Sequence, residues 1–290
     1  MKRKEFIKKS LLSVTALSIL PSYGSENEKA AELHKMMHSG VGFNHLPNKE
    51  IITMRTILHK AESRGLANHG WLKSHHSFSF ANYHNPERMN FGVLRVLNDD
   101  RVEAGMGFGT HPHDNMEIIS IPLSGDLEHK DSMGNTTVIK EGDIQVMSAG
   151  TGIRHSEYNK NTDQEVQFLQ IWVIPNKREV APRYDQISTA DLKQENQFYQ
   201  VLSPSAEDEG VWVHQNAWFH IGEFASGIEQ SYSLKDTNNG VYLFVLEGDV
   251  KVDGQDLNKR DGFGMWDLKE FTLTATSASR VLVMEVPMRL

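Results

Sequence analysis

The chain has 290 residues, with 38 acidic and 30 basic side chains and a formal net charge of −8 at pH 7. It contains no cysteine, which excludes disulfides, cysteine zinc sites, thiolate nucleophiles and iron–sulfur clusters with cysteine ligands. The acidic balance argues against a strongly basic nucleic-acid-binding surface. The chain does contain 14 histidines, and histidine is a natural nitrogen ligand for a transition metal where thiolates are absent.

The first 24 residues have the layout of a secretory signal. Five basic residues between Lys2 and Lys9 precede an apolar stretch at 11–20 that is too short to span a bilayer, and small residues follow at 22–24. The basic opening also resembles a twin-arginine export signal, with Lys4 in place of the second arginine. We therefore predict a signal peptide over 1–24 and a periplasmic or secreted protein with no membrane anchor after cleavage. The alternative is a cytoplasmic protein with an amphipathic or disordered tail.

Removal of residues 1–24 changes the formal net charge to −12, because five basic residues and one acidic residue leave with them. Such a charge opposes nonspecific attraction to nucleic acid or to anionic lipid. Residues 25–50 are mostly polar and predict a linker with a short helical piece around Ala30 to Met37. No chemistry is assigned to this linker.

From about Ile51 onward, short apolar stretches alternate with Gly, Asn and Asp. Runs rich in Ile, Val and aromatic residues occur at 91–97, 117–123, 168–174 and 241–246. Stretches of this length and composition, closed by turn residues, are typical of β-strands. Many short strands at close spacing predict an all-β sandwich or barrel. Helical structure is predicted only at Thr189 to Gln194, where Ser188 or Thr189 would cap a short turn.

An internal repeat predicts two such β-domains. The segment Ile121 to His129 aligns with Phe244 to Val252, and both contain Leu-x-Gly-Asp or its close equivalent at the same position. Each copy then reaches a second glycine turn, as expected for two antiparallel hairpins. We predict domains at 51–185 and 186–290. The alternative is a chance match between two common hairpin patterns.

Histidine spacing gives the sharpest functional signal. Residues i and i+2 of a strand point to the same face, so His111 and His113 can direct both imidazoles into one barrel. His155 and Glu157 repeat this spacing. Three nitrogens and one carboxylate oxygen suit Fe(II), Mn(II), Ni(II), Cu(II) or Zn(II), with two octahedral positions open for water, O2 or substrate. The alternative is that these histidines only make structural hydrogen bonds.

The neighbouring polar residues are assigned smaller roles. Glu117 is expected to face inward, either as a spare ligand or as a hydrogen-bonding partner that orients an imidazole. His129 and His214 are expected to face solvent. The repeat offset places Leu234 and Asp236 where the first histidine pair would lie, so the second domain is expected to lack a metal site. The candidates for an apolar wall, for which ordinary barrel packing is the favoured explanation, are Phe108, Met116, Phe168 and Trp172.

The histidine segment resembles the first cupin motif, G-x5-H-x-H-x3-E, which is matched by Gly105, His111, His113 and Glu117. From about Leu58 to Tyr184 the chain is similar to the pirin family, at 64–65, 70–72, 76–81, 94–99, 111–113, 147–150, 152–157 and 170–172. This resemblance implies two cupin-type barrels of the double-stranded β-helix, or jelly-roll, kind, packed together with few short helices. It also implies one metal, usually iron, held in the first barrel by His111, His113, His155 and Glu157.

The same resemblance implies candidate functions. Some bacterial pirins are similar to quercetin 2,3-dioxygenases, which open a flavonol ring with O2, whereas animal pirins resemble nuclear transcription coregulators. We therefore expect an iron-dependent dioxygenase of a flavonol-like or other enolisable aromatic substrate, with Mn, Ni, Cu or Zn as alternative metals. Glu157 would also accept the substrate hydroxyl proton. The alternative is a noncatalytic metal-binding module that senses redox state and binds an unknown protein partner.

Overall fold

The structure is a computed structural model, and it describes residues 53–289. The predicted signal peptide at 1–24 and the predicted linker at 25–50, with its helical piece, lie outside the described residues. Within 53–289, no helix has the length and apolar character that crossing a membrane requires.

The described chain is almost entirely β, which confirms the predicted fold class. Its first part contains β1 Arg55–His59, the 3-10 helix η1 Ala61–Ser63, β2 Gly65–Asn68, β3 Leu72–His76, β4 Leu94–Val102, β5 Gly107–His113, β6 Glu117–Ser124, β7 Leu127–Asp131, β8 Thr136–Ile139, β9 Asp143–Ser148, β10 Ile153–Asn159, β11 Val166–Val173 and β12 Arg183–Ser188. The second part contains β13 Phe198–Ser203, β14 Val211–Trp212, β15 Trp218–Phe224, β16 Glu229–Ser233, β17 Asn239–Glu247, β18 Val250–Val252, β19 Gln255–Leu257, β20 Gly262–Trp266, β21 Glu270–Ala275 and β22 Ser279–Pro287.

The helix predicted at Thr189 to Gln194 is wrong, because this segment forms a turn. The expected capping interaction is nevertheless present, since the Ser188 hydroxyl accepts a hydrogen bond from the backbone N–H of Ala190 at 3.3 Å. A single capped turn does not bury an apolar face, and without tertiary packing so short a helix is not stable.

Two barrels with the same strand order account for the internal repeat. The first barrel pairs a seven-stranded sheet, β12-β9-β6-β11-β4-β3-β2, with a four-stranded sheet, β5-β10-β7-β8. The second pairs β1-β20-β17-β22-β15-β13-β14 with β16-β21-β18-β19. The two orders correspond strand for strand, so β5, β10 and β7 of the first barrel have β16, β21 and β18 as their counterparts.

Strand β1 belongs to the second barrel, although its place in the chain suggests the first. The chain reaches β1 before any strand of the first barrel, yet β1 pairs antiparallel with β20 of the second barrel, from Arg55 opposite Trp266 to His59 opposite Gly262. In the first barrel the corresponding edge is covered by β12, which pairs with β9. Both large sheets thus have an added strand on an edge that would otherwise expose backbone groups.

Apolar residues on alternate positions build a core between the two large sheets. Ile171 on β11 and Met284 on β22 belong to one continuous apolar cluster that contains residues of both barrels. The second barrel is filled by a single apolar cluster of its own. The interior of the first barrel instead holds two small separate apolar clusters. Polar side chains lie on the inner face between them.

Candidate metal centre

Three histidines meet at one end of the first barrel. His111 on β5 lies directly opposite His155 on β10, and His113 lies opposite Ile153 two residues along the same pair of strands. The ring centroids are 4.5 Å apart for His111 and His155, 4.8 Å for His111 and His113, and 4.9 Å for His113 and His155. One ligand nitrogen from each ring lies within 4.8 Å of the other two. The three imidazoles, here called the histidine trio, can therefore converge on one ion.

The protonation of the histidine trio suits metal binding. Burial lowers the pKa of His155 to about 3, and burial together with the neighbouring His155 and His111 lowers that of His113 to about 4. The Nδ1 atom of His111 lies 2.8 Å from the carbonyl oxygen of Gly109, so Nδ1 carries the proton and Nε2 has a free lone pair. Both ring nitrogens of His155 are buried without a hydrogen-bond partner. These nitrogens fit a divalent transition metal, because an ion would satisfy a lone pair that the described protein leaves unpaired.

Glu157 lies next to the trio but belongs to a second group of ligand atoms. One carboxylate oxygen of Glu157 and one ring nitrogen each of His155 and His129 lie within 4.8 Å of one another, so His155 takes part in both groups of ligand atoms. The Ser120 hydroxyl donates to Oε1 of Glu157 at 2.9 Å, and the Gln170 amide donates to Oε2 at 2.8 Å. These two donors hold the buried carboxylate in one orientation beside the imidazoles.

The expectation for Glu117 is wrong. Glu117 is buried, but its neighbours on alternate positions of β6, Ile119 and Ile121, pack into the core between the barrels. Its Oε2 atom accepts a hydrogen bond from the Ser148 hydroxyl at 2.7 Å, and it touches no histidine of the trio. A loop separates β5 from β6, so side-chain facing on β6 is independent of that on β5. The two-residue spacing that puts His111 and His113 on one face therefore does not predict the face of Glu117.

The expectation that His129 faces solvent is also wrong. His129 is fully buried on β7, directly opposite Glu157 on β10. Its Nε2 lies 3.1 Å from Oδ2 of Asp131, and its ring centroid is 5.3 Å from that of His155. The sequence contained a usable signal, because His129 and Asp131 also stand two residues apart on a strand.

A cavity of about 220 Å³ opens beside the histidine trio. Two of the four candidates for an apolar wall, Phe108 and Trp172, line it, and the Trp172 ring lies edge-on to His113 at 4.9 Å. Phe168 packs in the same apolar cluster as Phe108, and Met116 in the same cluster as Trp172, but neither lines the cavity. The predicted apolar wall therefore consists of two of the four candidates.

Several polar residues of this cavity were missed by sequence reasoning. They lie on the large sheet opposite β5 and β10: Ser74, His76, Asn98, Asp100 and Gln170. Burial raises the pKa of Asp100 to about 7, against the lowering effect of a hydrogen bond from Ser74. Alternating polar residues within the apolar strand β4 were the available signal, but they carry no motif by themselves.

The second barrel has replaced the ligand positions with core residues. Strand register makes Tyr232 and Phe271 the counterparts of His111 and His155, and Leu273 that of Glu157. The prediction had placed Leu234 and Asp236 at the histidine positions, so the true correspondence is shifted by two residues. Among residues 53–289, both groups of potential metal ligands lie in the first barrel.

Comparison with known proteins agrees with this geometry. Residues 57–173 match the family model Pirin, and residues 200–286 match the model Quercetinase C-terminal cupin domain. A quercetin 2,3-dioxygenase of Escherichia coli K12 is 45% identical over 230 residues, which cover 79% of this chain and 98% of that protein. A pirin-like protein of Caulobacter vibrioides is 37% identical over 76% of this chain and 95% of its own length.

Solved structures show the same architecture. The crystal structure of YhhW from E. coli superposes with a TM-score of 0.77 at 41% identity, covering 81% of this chain and all of that one. The structure of YhhW described as a bacterial pirin in complex with nickel(II) gives a TM-score of 0.76 at 41% identity, covering 80% of this chain and 99% of that one. On the identity and coverage of these relatives, the chain belongs to the pirin family.

Proposed function

We propose that this protein is a metal-dependent dioxygenase of the quercetinase type, which uses O2 to open the ring of a flavonol-like or other enolisable aromatic compound. The observation that carries the proposal is the histidine trio, whose free nitrogens open into a cavity with aromatic walls. The names of the relatives support the same reaction class. Iron is the metal we propose, and the nickel(II) bound by the YhhW structure makes nickel the first alternative.

The side chains of this site have separable tasks. His111, His113 and His155 would hold the ion, which supplies Lewis-acid and redox chemistry when bound. Glu157 would complete the ligand set and accept the proton of the substrate hydroxyl, because its carboxylate is buried beside the trio and held by Ser120 and Gln170. The Phe108 and Trp172 side chains exclude water and pack against an aromatic ring.

Oxygen uptake tests this proposal. Metal-free protein is loaded anaerobically with Fe(II), and separately with Mn, Ni or Cu, and oxygen consumption is then followed with quercetin. We expect metal-dependent uptake. His111→Ala should lose both the metal and the uptake, whereas His84→Ala, at an exposed histidine, should keep both. Glu157→Gln should slow turnover by about 10²- to 10⁴-fold, as for the loss of a general base.

Two outcomes would contradict the proposal. Stoichiometric metal without oxygen uptake for any of these ions would exclude the flavonol reaction and favour the noncatalytic redox-sensing module. Isolated protein that takes up no metal, and a His111→Ala variant with unchanged properties, would instead leave the histidines with a structural role only.

We also propose that the protein acts in the periplasm or outside the cell. Support comes from the basic, apolar and small-residue order of residues 1–24. The lack of cysteine in the chain is compatible with an oxidising compartment, because no thiol needs protection there.

A further inference from the structure

A row of polar side chains crosses the inner face of the large sheet in the first barrel. Strand register sets His76 opposite Asn98, Asn98 opposite Gln170, Gln170 opposite Ser120 and Ser120 opposite Gln145. All five side chains, here called the polar row, are buried. Burial of polar groups without hydrogen bonds destabilises a fold, so such a row needs partners.

Four of the five side chains in the polar row have one buried polar atom without a hydrogen-bond partner in the described protein. His76 Nδ1, Asn98 Oδ1, Gln170 Oε1 and Gln145 Nε2 are buried without a hydrogen-bond partner, and so is Oδ1 of Asp100, two residues beyond Asn98 on β4. Each such atom destabilises the fold when it stays unpaired. Several orphaned atoms on one face of one barrel therefore point to a bound molecule that satisfies them.

The second barrel has apolar side chains at three of the five positions of this row. There the counterparts of Gln170, Ser120 and Gln145 are Val283, Leu243 and Phe263, which lie in the same register on β22, β17 and β20. All three belong to the continuous apolar core of that barrel. The same register makes the buried His220 the counterpart of Asn98 and Gln200 that of His76, so the second barrel keeps polar side chains at these two positions.

Apart from Gln145, the side chains with orphaned atoms line the same cavity as the histidine trio. His76, Asn98, Asp100 and Gln170 line it from the large sheet, whereas the trio lines it from β5 and β10. The cavity of about 220 Å³ is small, so one molecule can reach both sides. The amide of Gln170 donates to the Glu157 carboxylate, which leaves its Oε1 as an acceptor.

We propose that Asn98 and Asp100, with Gln170 beside them, form a hydroxyl-binding subsite that faces the metal centre and selects aromatic compounds carrying a further hydroxyl group. The orphaned amide oxygens of Asn98 and Gln170 are acceptors, so the matching ligand atoms are donors such as phenolic hydroxyls. The inference rests on the proposed function, because it assumes that an aromatic ring lies in this cavity. It adds to that function a reason for preferring polyhydroxylated compounds to their less substituted analogues.

Binding to a redox-inert form of the protein tests the subsite without turnover. Protein loaded with Zn(II), with its metal content verified, is titrated calorimetrically with quercetin and with 3-hydroxyflavone, which lacks the additional hydroxyls. Wild type should bind quercetin more tightly. Asn98→Leu and Asp100→Leu should each weaken quercetin binding about tenfold, as expected for one lost hydrogen bond in a buried site, and leave 3-hydroxyflavone unchanged. Asn216→Leu, at an exposed asparagine of the second barrel, is the matched control.

Thermal unfolding of the metal-free protein provides a second readout. Asn98→Leu removes an orphaned polar atom, so its midpoint should equal or exceed that of wild type even though quercetin binding is weakened. A lowered midpoint together with unchanged binding would show that Asn98 has a structural role and overturn the subsite. Equal weakening of both flavonols would overturn it as well. Failure of wild type to bind either compound would instead contradict the proposed substrate class, and the subsite with it.

Discussion

A buried histidine in the second barrel should make the stability of the protein depend on pH. His220 lies on β15 with 5% of its surface exposed, and its Nδ1 is 3.3 Å from the Tyr232 hydroxyl. Burial, together with the positive charge of Lys235, lowers the pKa of His220 from 6.5 to about 3. As the pH falls below 6.5, His220 therefore becomes protonated in the unfolded chain but stays neutral in the folded protein. Stability is complete above this pH and decreases between about 6.5 and 3.

The size of this effect follows from the shift in pKa. Each unit of pKa difference corresponds to about 1.36 kcal/mol, so His220 alone removes about 2 kcal/mol between pH 7 and pH 5. Urea unfolding of the metal-free protein at these two pH values measures the change. In His220→Gln the loss between pH 7 and pH 5 should be smaller than in wild type by that amount, whatever the effect of the substitution at pH 7.

The contributions of other buried histidines cancel in this comparison. Burial also lowers the pKa of His59 to about 4, but His59 is present in both proteins. His84→Gln, at an exposed histidine, should behave like wild type. The same pH-dependent loss in wild type and His220→Gln would refute the reasoning, since it would mean that His220 accepts its proton equally well in the folded and the unfolded chain.

One further prediction concerns the buried ion pairs between the two barrels, and another concerns export of the protein. Asp99 Oδ2 lies 3.3 Å from Arg64 Nη1 and 3.2 Å from Arg260 Nε, with all three side chains buried. Asp99→Leu should remove the carboxylate that these two buried guanidinium groups share and lower the free energy of unfolding by about 3–5 kcal/mol. A loss in urea unfolding below about 1 kcal/mol would show that water reaches this cluster. Expression of the full chain in a bacterial host should yield periplasmic protein that begins near residue 25, and intact protein confined to the cytoplasm would contradict the predicted export.

Local alternation explains how much of the site could be predicted from the sequence. His111 and His113 share a face because they stand two residues apart on one strand, and the same holds for His155 and Glu157. This relation does not depend on the rest of the fold. Glu117 and His129 were misplaced because each lies on another strand, where the face toward the cavity depends on the loop and the pairing partner rather than on spacing from the histidine pair.

The polar row illustrates the same limit on a larger scale. Asn98 and Gln170 are far apart in the chain, and although both lie in segments that resemble the pirin family, that resemblance does not show that they are neighbours. They become neighbours only through the pairing of β4 with β11, whose register is set by the packing of both sheets. The exchange of β1 into the second barrel is equally invisible in the sequence, because strand order along the chain does not specify which open edge a strand covers.

The sequence by itself therefore determined the β architecture, the duplication and the histidine pairs, since these follow from residue composition and from a period of two along single strands. Tertiary structure decided which polar side chains face the same cavity. It brought His129 beside His155, turned Glu117 toward the core between the barrels and aligned the polar row across five strands. The physical reason is that facing and register are properties of pairs of strands, fixed by the burial of apolar side chains on both sheets.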